Sequence, residues 1–265
     1  MSITKRIDRA REAFEKRDLA ASKDAHSPLA IATEEHGGAS HQYIGDMVYG
    51  GLDGIVTTFA IVSGVAGANL GSGIILVLGL ANLFADGFSM AAGAFLALKS
   101  ELEYYDRERE REAWEVNHFP EGERTELLEI YKAKGYSAND AETLVAIQVK
   151  NERIWIDEMM IQELGMLRDE RRPIVSALAT LGSFILAGSV PLLVYLIGLF
   201  VPTESGAAFA ISAVLSAAAL FGLGAAKVLI TERSWFRSGL EMLAVGGLAA
   251  GVAYLVGYLL QGLGA

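Results

Sequence analysis

Apolar residues along this chain gather into five runs separated by strongly polar stretches, at about 44–68, 73–98, 174–200, 206–230 and 239–262. A helix needs roughly 20 mostly apolar residues to cross a bilayer core, so the pattern predicts five transmembrane helices. The first two runs are joined only by Asn69 to Ser72, the third and fourth by Val201 to Ser205, and the last two by Thr231 to Ser238. Between the second and third lies a long charged insert. The division expected is an N-terminal arm (1–42), transmembrane helices 1–2 (43–98), a helical insert (99–172) and transmembrane helices 3–5 (173–265). The fold class is an all-α membrane protein, five transmembrane helices plus a three-helix polar domain.

The insert carries helix signals throughout. From Leu98 to about Asn117 there is no Gly or Pro, and Glu, Arg and Ala are dense, so the second span is expected to continue as one long helix projecting from the membrane. Pro120 and Gly122 interrupt it. A second helix is predicted over about 121–134, ended by Gly135, and a third from Ser137-Ala-Asn-Asp140 to about Arg168, ahead of Pro173. Leu144, Ile147, Ile154 and Trp155 are expected to pack it against the others. In the arm, Ile3, Ile7, Ala10, Phe14 and Leu19 recur at helical spacing, which predicts an amphipathic helix over about 3–19. That helix is either a solvated arm or lies on the membrane surface. Residues 21–42 read as a linker.

Composition narrows the function classes. Of 265 residues 52% are hydrophobic and none is cysteine, which removes disulfides, thiolate zinc sites and iron–sulfur clusters. Mean hydropathy is +0.35. The net charge of −10 argues against nucleic acid as a partner. The charged N-terminus is not followed at once by an apolar core, so no cleavable signal peptide is expected. All 22 basic residues fall on one side of the expected topology: 7 in the arm, 12 in the insert, and 3 in or beside the last loop. The positive-inside rule then places the arm, the insert and the last loop in the cytoplasm and the C-terminus on the opposite side. The compact length and lack of a targeting peptide point to a bacterial inner membrane.

Chemistry is expected at two levels. The insert holds 19 acidic and 12 basic residues, a formal charge of −7. Glu108, Glu112 and Glu115 share one face of the long helix, Glu123 and Glu126 share a face of the next, and Met159, Met160 and Glu163 lie within about a turn of the third. Carboxylates at such spacings can converge on one ion. The plainer alternative is a solvated acidic surface, since Arg107, Arg109 and Arg111 alternate with the acids. Within the spans, Asp46 and Asp53 lie seven residues apart, on one face and roughly 10 Å apart along the axis. Intramembrane ionisable groups usually line a bundle interior or a watery path. Asn82, Asp86 and Met90 form a second stripe, and a thioether beside carboxylates suits a borderline metal such as ferrous iron, although Met90 taken alone is an ordinary packing residue. Gly50-x-x-x-Gly54 and Gly247-x-x-x-Gly251 fit close helix contacts. Lys227 is expected to snorkel, and Glu241 to sit at a helix N-terminus. Five spans are few for a self-contained path, which makes a homodimer attractive.

The stretches DMVYGGLDGIVTTFAIVSGVAGA, GFSMAAGAFLALKSE and EMMIQELG resemble the vacuolar iron transporter family, with similarity across about residues 43–262. The resemblance implies proton-coupled export of ferrous iron from the cytosol by a homodimer with five transmembrane helices per subunit and a three-helix cytoplasmic metal-binding domain. Carried over by motif, it implies Asp46, Asp53 and Met90 as translocation residues. The implied metal ligands are Glu112, Glu115, Glu123, Glu126, Met159, Met160 and Glu163. Many members have glutamate where this chain has Asn82, and Asp86, one turn away, is the expected substitute in the path. The expected cargo is Fe²⁺ with Mn²⁺ as a second ion, the partners protons and the lipid bilayer, with no cofactor beyond the transported metal. Two other classes compete. A di-iron oxidase would use two Glu-x-x-His motifs, and only Glu115-x-x-His118 is present in the insert. A membrane-anchored metal sensor or buffer would have no use for Asp53 and Asp86.

Overall fold

The computed structural model describes residues 5–32, 42–201, 203–226 and 234–262, and these contain helices and turns with no strand. In chain order the helices are α1 (Lys5–Glu15), α2 (Leu19–Ala25), α3 (Pro28–Ala32), α4 (Ile44–Gly67), α5 (Ser72–His118), α6 (Pro120–Ala133), α7 (Ala138–Gln148), α8 (Glu152–Gln162) and α9 (Pro173–Gly188). A 3₁₀ turn, Val190–Leu192, leads into α10 (Leu193–Ile197), followed by α11 (Ser205–Ala226) and α12 (Trp235–Leu259). Five stretches are long and apolar enough to cross a membrane: α4, α5, Pro173–Ile197, α11 and α12. Lys227 and part of the last loop lie outside the described residues.

The chain divides into two compact units, one of residues 1–95 with 173–265 and one of residues 96–172. In the first, α4 is the central helix, with α9, α11 and α12 packed on it. Small residues make this possible. A Cβ added at Gly50 would sit 2.5 Å from the Thr180 carbonyl, and one at Gly54 would strike the carbonyl of Phe184. The Gly50/Gly54 pair therefore seats α9 directly on α4. On another face of α4, Gly257 of α12 lies against the Gly64 carbonyl with no room for a side chain. Helices in lipid gain little from burying apolar surface, so backbone approach of this kind is what holds them together. Phe59, Val62, Leu83, Phe184 and Leu192 fill the space between. A Cβ added at Gly247 or Gly251, by contrast, would meet nothing within 4 Å among the described residues; the close contacts of α12 are made through Gly239, Gly246 and Gly257.

The second unit is built in water-soluble style around Val116, Leu127, Tyr131, Val145, Trp155, Ile156, Met159 and Met160. Leu127, Met159 and Met160 are completely buried, and each such side chain contributes roughly 1.5–3 kcal/mol by leaving water. Pro120 occupies the first turn of α6, and Gly135, at φ +96°, follows its C-cap. Ser137 caps α7 by accepting from the Asp140 N–H.

Four expectations change. The arm helix predicted over about 3–19 ends at Glu15, and Leu19 opens a separate helix, α2. The predicted third helix of the insert is two helices: the chain turns at Lys150 and Asn151, Asn151 caps α8 by accepting from the Ile154 N–H, and α8 stops before Gly165 at φ +65°. The unit thus has four helical segments, counting the end of α5. Ile147 and Ile154 are 58% and 50% exposed, so Trp155 and Leu144 do the packing expected of all four. The linker reading of 21–42 gives way over its first part to α2 and α3, because Asp18 caps α2 by accepting from Ala20 and Ala21 N–H.

Candidate metal site

The end of α5 and the start of α6 form a hairpin that sets two acidic faces against each other. Pro120 starts α6 at once, and Glu121 and Glu123 occupy its first turn, where the helix dipole favours negative charge. Cross-links fix the hairpin to the rest of the unit. Asn117 Nδ2 donates to Glu152 (2.8 Å), Arg109 pairs with Asp157 (2.6 Å), and the Tyr131 hydroxyl lies 2.9 Å from Gln148 Oε1 and 2.6 Å from Glu158 Oε1.

Two overlapping carboxylate triads result. One oxygen each from Glu112, Glu115 and Glu123 lie within 4.8 Å of one another, and so do oxygens from Glu123, Glu126 and Glu163. A hard divalent ion has metal–oxygen distances of about 2.0–2.6 Å, so opposite ligands lie about 4–5 Å apart and each triad can close on one ion. Glu123 belongs to both. Glu112 is fully buried, and neither of its carboxylate oxygens accepts a hydrogen bond among the described residues; Arg111 Nη2, at 3.4 Å, is near it without bonding. One oxygen each of Glu123 and Glu163 is likewise buried without a donor. Buried anionic oxygens without donors are costly and call for a proton or a cation.

The electrostatics agree. Burial, then the neighbouring Glu163 carboxyl, pushes the Glu112 carboxyl up to about 8. Burial and the facing Glu115, Glu126 and Glu163 push Glu123 to about 7. Glu126 is raised by burial and by Glu163 and Glu115. Glu108, held by hydrogen bonds from Arg107 and Arg111, is instead lowered and stands outside both triads.

Of the residues implied for this domain, five carboxylates are brought together: Glu112, Glu115, Glu123, Glu126 and Glu163. Met159 and Met160 occupy the apolar core beside Leu127 and Trp155. His118 lies outside both triads, its Nδ1 2.7 Å from the Trp114 carbonyl and its ring stacked on Trp114. Sequence reasoning missed the position of Arg111. Its alternation with acids suggested a solvated face, yet it pairs with Glu108 (3.1 Å), Glu112, Glu115 and Glu163. The i−3 position of Glu108 and the i+4 position of Glu115 relative to Arg111 were the available signal.

The membrane-spanning unit holds the other candidates. Asp46 accepts a 2.7 Å hydrogen bond from Ser176 of α9. Asp53, part-exposed, lies within electrostatic range of Asp86 on α5, and its carbonyl accepts from Thr57. Asn82, one turn before Asp86, has a buried Nδ2 with no acceptor among the described residues. Met90 packs against the apolar core of the unit. Two acidic side chains from different helices therefore approach each other here, with an unsatisfied amide one turn away. Glu241 is exposed but lies beyond the first turn of α12, which begins at Trp235, so it does not sit at the helix N-terminus as expected.

Comparison with known proteins identifies the family. The model of the VIT family matches residues 44–258, all five candidate spans and the insert between them. A protein of Toxoplasma gondii named vacuolar iron transporter is 38% identical over 96% of this chain and 88% of its own length. One of Plasmodium berghei with the same name is 32% identical over 98% of each chain. Vacuolar iron transporter 1 of Arabidopsis thaliana is 35% identical over 86% of this chain and 90% of its own. By the extent of both kinds of match, the chain belongs to the VIT family.

Proposed function

We propose that this multi-pass membrane protein is a proton-coupled antiporter that carries ferrous iron, and manganese as a second cargo, out of the cytoplasm. The observation that carries the proposal is the fully buried Glu112 carboxylate, without a hydrogen-bond donor, in a triad with Glu115 and Glu123. A solvated acidic surface would leave this carboxyl in water. Family membership, and relatives named vacuolar iron transporters, favour iron as the cargo. Carboxylate oxygens accept Mn²⁺ and Fe²⁺ alike, and the affinity order of the two favours Fe²⁺.

The insert collects the metal. Protons on Glu112 and Glu123 leave as the dication enters, so capture is itself a proton-for-metal exchange. In the spans, Asp53 and Asp86 supply the negative charge that a desolvated dication needs, with Met90 as a thioether ligand and Asp46 at the end of the path. On the far side, protons compete for the same oxygens and release the ion. The distribution of Lys and Arg supports a cytoplasmic arm and insert. A homodimer, with the path between subunits, is consistent with the open Gly247/Gly251 face of α12. The relatives above are eukaryotic, so the bacterial inner membrane expected from the sequence gains no support from them. The test is metal flux into proteoliposomes with Asp53→Ala as control. Flux driven by a pH gradient and lost in the variant supports the proposal; tight metal binding without flux under any gradient overturns it in favour of a membrane-anchored buffer.

A further inference from the structure

Arg111 projects from the same face of α5 as the metal triads. Its guanidinium contacts Glu115, lies 3.4 Å from Glu112 and 3.9 Å from Glu163, and holds Glu108 through Nε at 3.1 Å. Among the described residues it is the one cation paired with either triad. It already stands where an incoming ion must go, because Glu112 and Glu115 belong to a triad whose oxygens lie within 4.8 Å of each other. A guanidinium and a dication sharing those oxygens would be a few Å apart in a partly buried cluster, where like charges repel more strongly than in water. Arg111 also has somewhere to go. Its side chain is 38% exposed, and Glu108, 15% exposed and outside the triads, is bonded to it already.

From this geometry we propose that Arg111 is a built-in counter-ion of the carboxylate cluster, which gives up Glu112, Glu115 and Glu163 and stays on Glu108 when a divalent cation enters. The inference rests on the metal-capture reading above and adds its regulation. The insert exchanges one cation for another, so the cluster is never left bare, and the competition keeps metal binding weak enough for the ion to be handed on.

The test uses the full-length protein in detergent with Mn²⁺ as probe, free Mn²⁺ being read by electron paramagnetic resonance. Arg111→Gln removes the competitor and is expected to bind Mn²⁺ about tenfold or more tightly, as a displaced like charge at a few Å implies. Arg111→Lys keeps the charge but loses the planar fork, and its affinity falls between the two. A measurement on unaltered protein avoids any folding defect: phenylglyoxal modification of Arg111, read by peptide mass spectrometry, is expected to be faster at saturating Mn²⁺ than in chelator. Unchanged or weaker Mn²⁺ binding by folded Arg111→Gln overturns the inference and leaves Arg111 a structural ion-pair partner. So does equal protection of Arg111 with and without metal. If the unaltered protein binds no Mn²⁺, the metal-capture reading falls first and takes this inference with it.

Discussion

Replacing Glu112 with glutamine is expected to stabilise the metal-free insert. The side chain is fully buried, and burial with the adjacent Glu163 holds its carboxyl at about 8 instead of the usual 4.5. A carboxyl whose pKa rises on folding binds its proton more tightly in the folded state. Its penalty is therefore small below about pH 4.5, grows as pH rises, and is complete once pH passes about 8. At pH 7 the folded carboxyl is protonated while the unfolded one is ionised, which costs about 3 kcal/mol relative to a neutral side chain of the same shape; above pH 8 the cost reaches about 5 kcal/mol, and near pH 5 it is under about 1 kcal/mol. Denaturant unfolding in chelator, followed by tryptophan fluorescence, reads this directly. Trp155 is 7% exposed in the insert core, whereas Trp114 and Trp235 are more than half exposed and change little on unfolding. Glu112→Gln should be more stable than the parent by these amounts, with the difference widening from pH 5 to pH 9, and should lose the stabilisation that added Mn²⁺ gives the parent. A variant no more stable than its parent at pH 9, or a difference that does not grow with pH, would refute the reasoning.

Metal affinity should itself depend on pH. Because Glu123 and Glu112 stand near 7 and 8 before metal enters, Mn²⁺ binding strengthens from about pH 6 to pH 8 and levels off above, with protons released in a pH-stat titration. Gly257→Ala drives a Cβ into the Gly64 carbonyl and should lower the yield of monodisperse protein in size-exclusion chromatography, while Gly247→Ala, which meets nothing within 4 Å, should not. Leu127→Ala, at a completely buried position in the insert, should cost about 2–5 kcal/mol of insert stability in the same fluorescence assay.

The parts of this molecule that follow from local chain chemistry were legible in the sequence. Apolar runs marked the five spans, and Pro120, Gly135 and Ser137 marked turns and caps, because each of these signals acts within a few residues. Asn151 carries the same kind of capping signal, but it lies inside a continuous helical pattern, so the break between α7 and α8 was overridden. The Gly50/Gly54 contact was readable as a motif, whereas Gly247/Gly251 has the same spacing with open space beside it among the described residues, since spacing does not say which face meets a neighbour. At the metal cluster, helical periodicity grouped Glu112 with Glu115 and Glu123 with Glu126. Burial was not legible: nothing in the sequence separates Glu112, which is fully enclosed, from Glu108, four residues earlier and bound to two arginines. The methionines show the same limit, since Met159 and Met160 lie in the insert core.

Whether the protein exchanges metal for protons across a bilayer is read by flux. Purified protein in proteoliposomes would be given Fe²⁺ or Mn²⁺ outside and an imposed pH gradient, with internal metal and internal pH followed together. Metal is expected to enter only with a gradient of the right sign, with opposite proton movement, and both should be lost in Asp53→Ala with assembly intact. Metal entry that ignores the gradient, or that persists unchanged in Asp53→Ala, would contradict proton-coupled exchange.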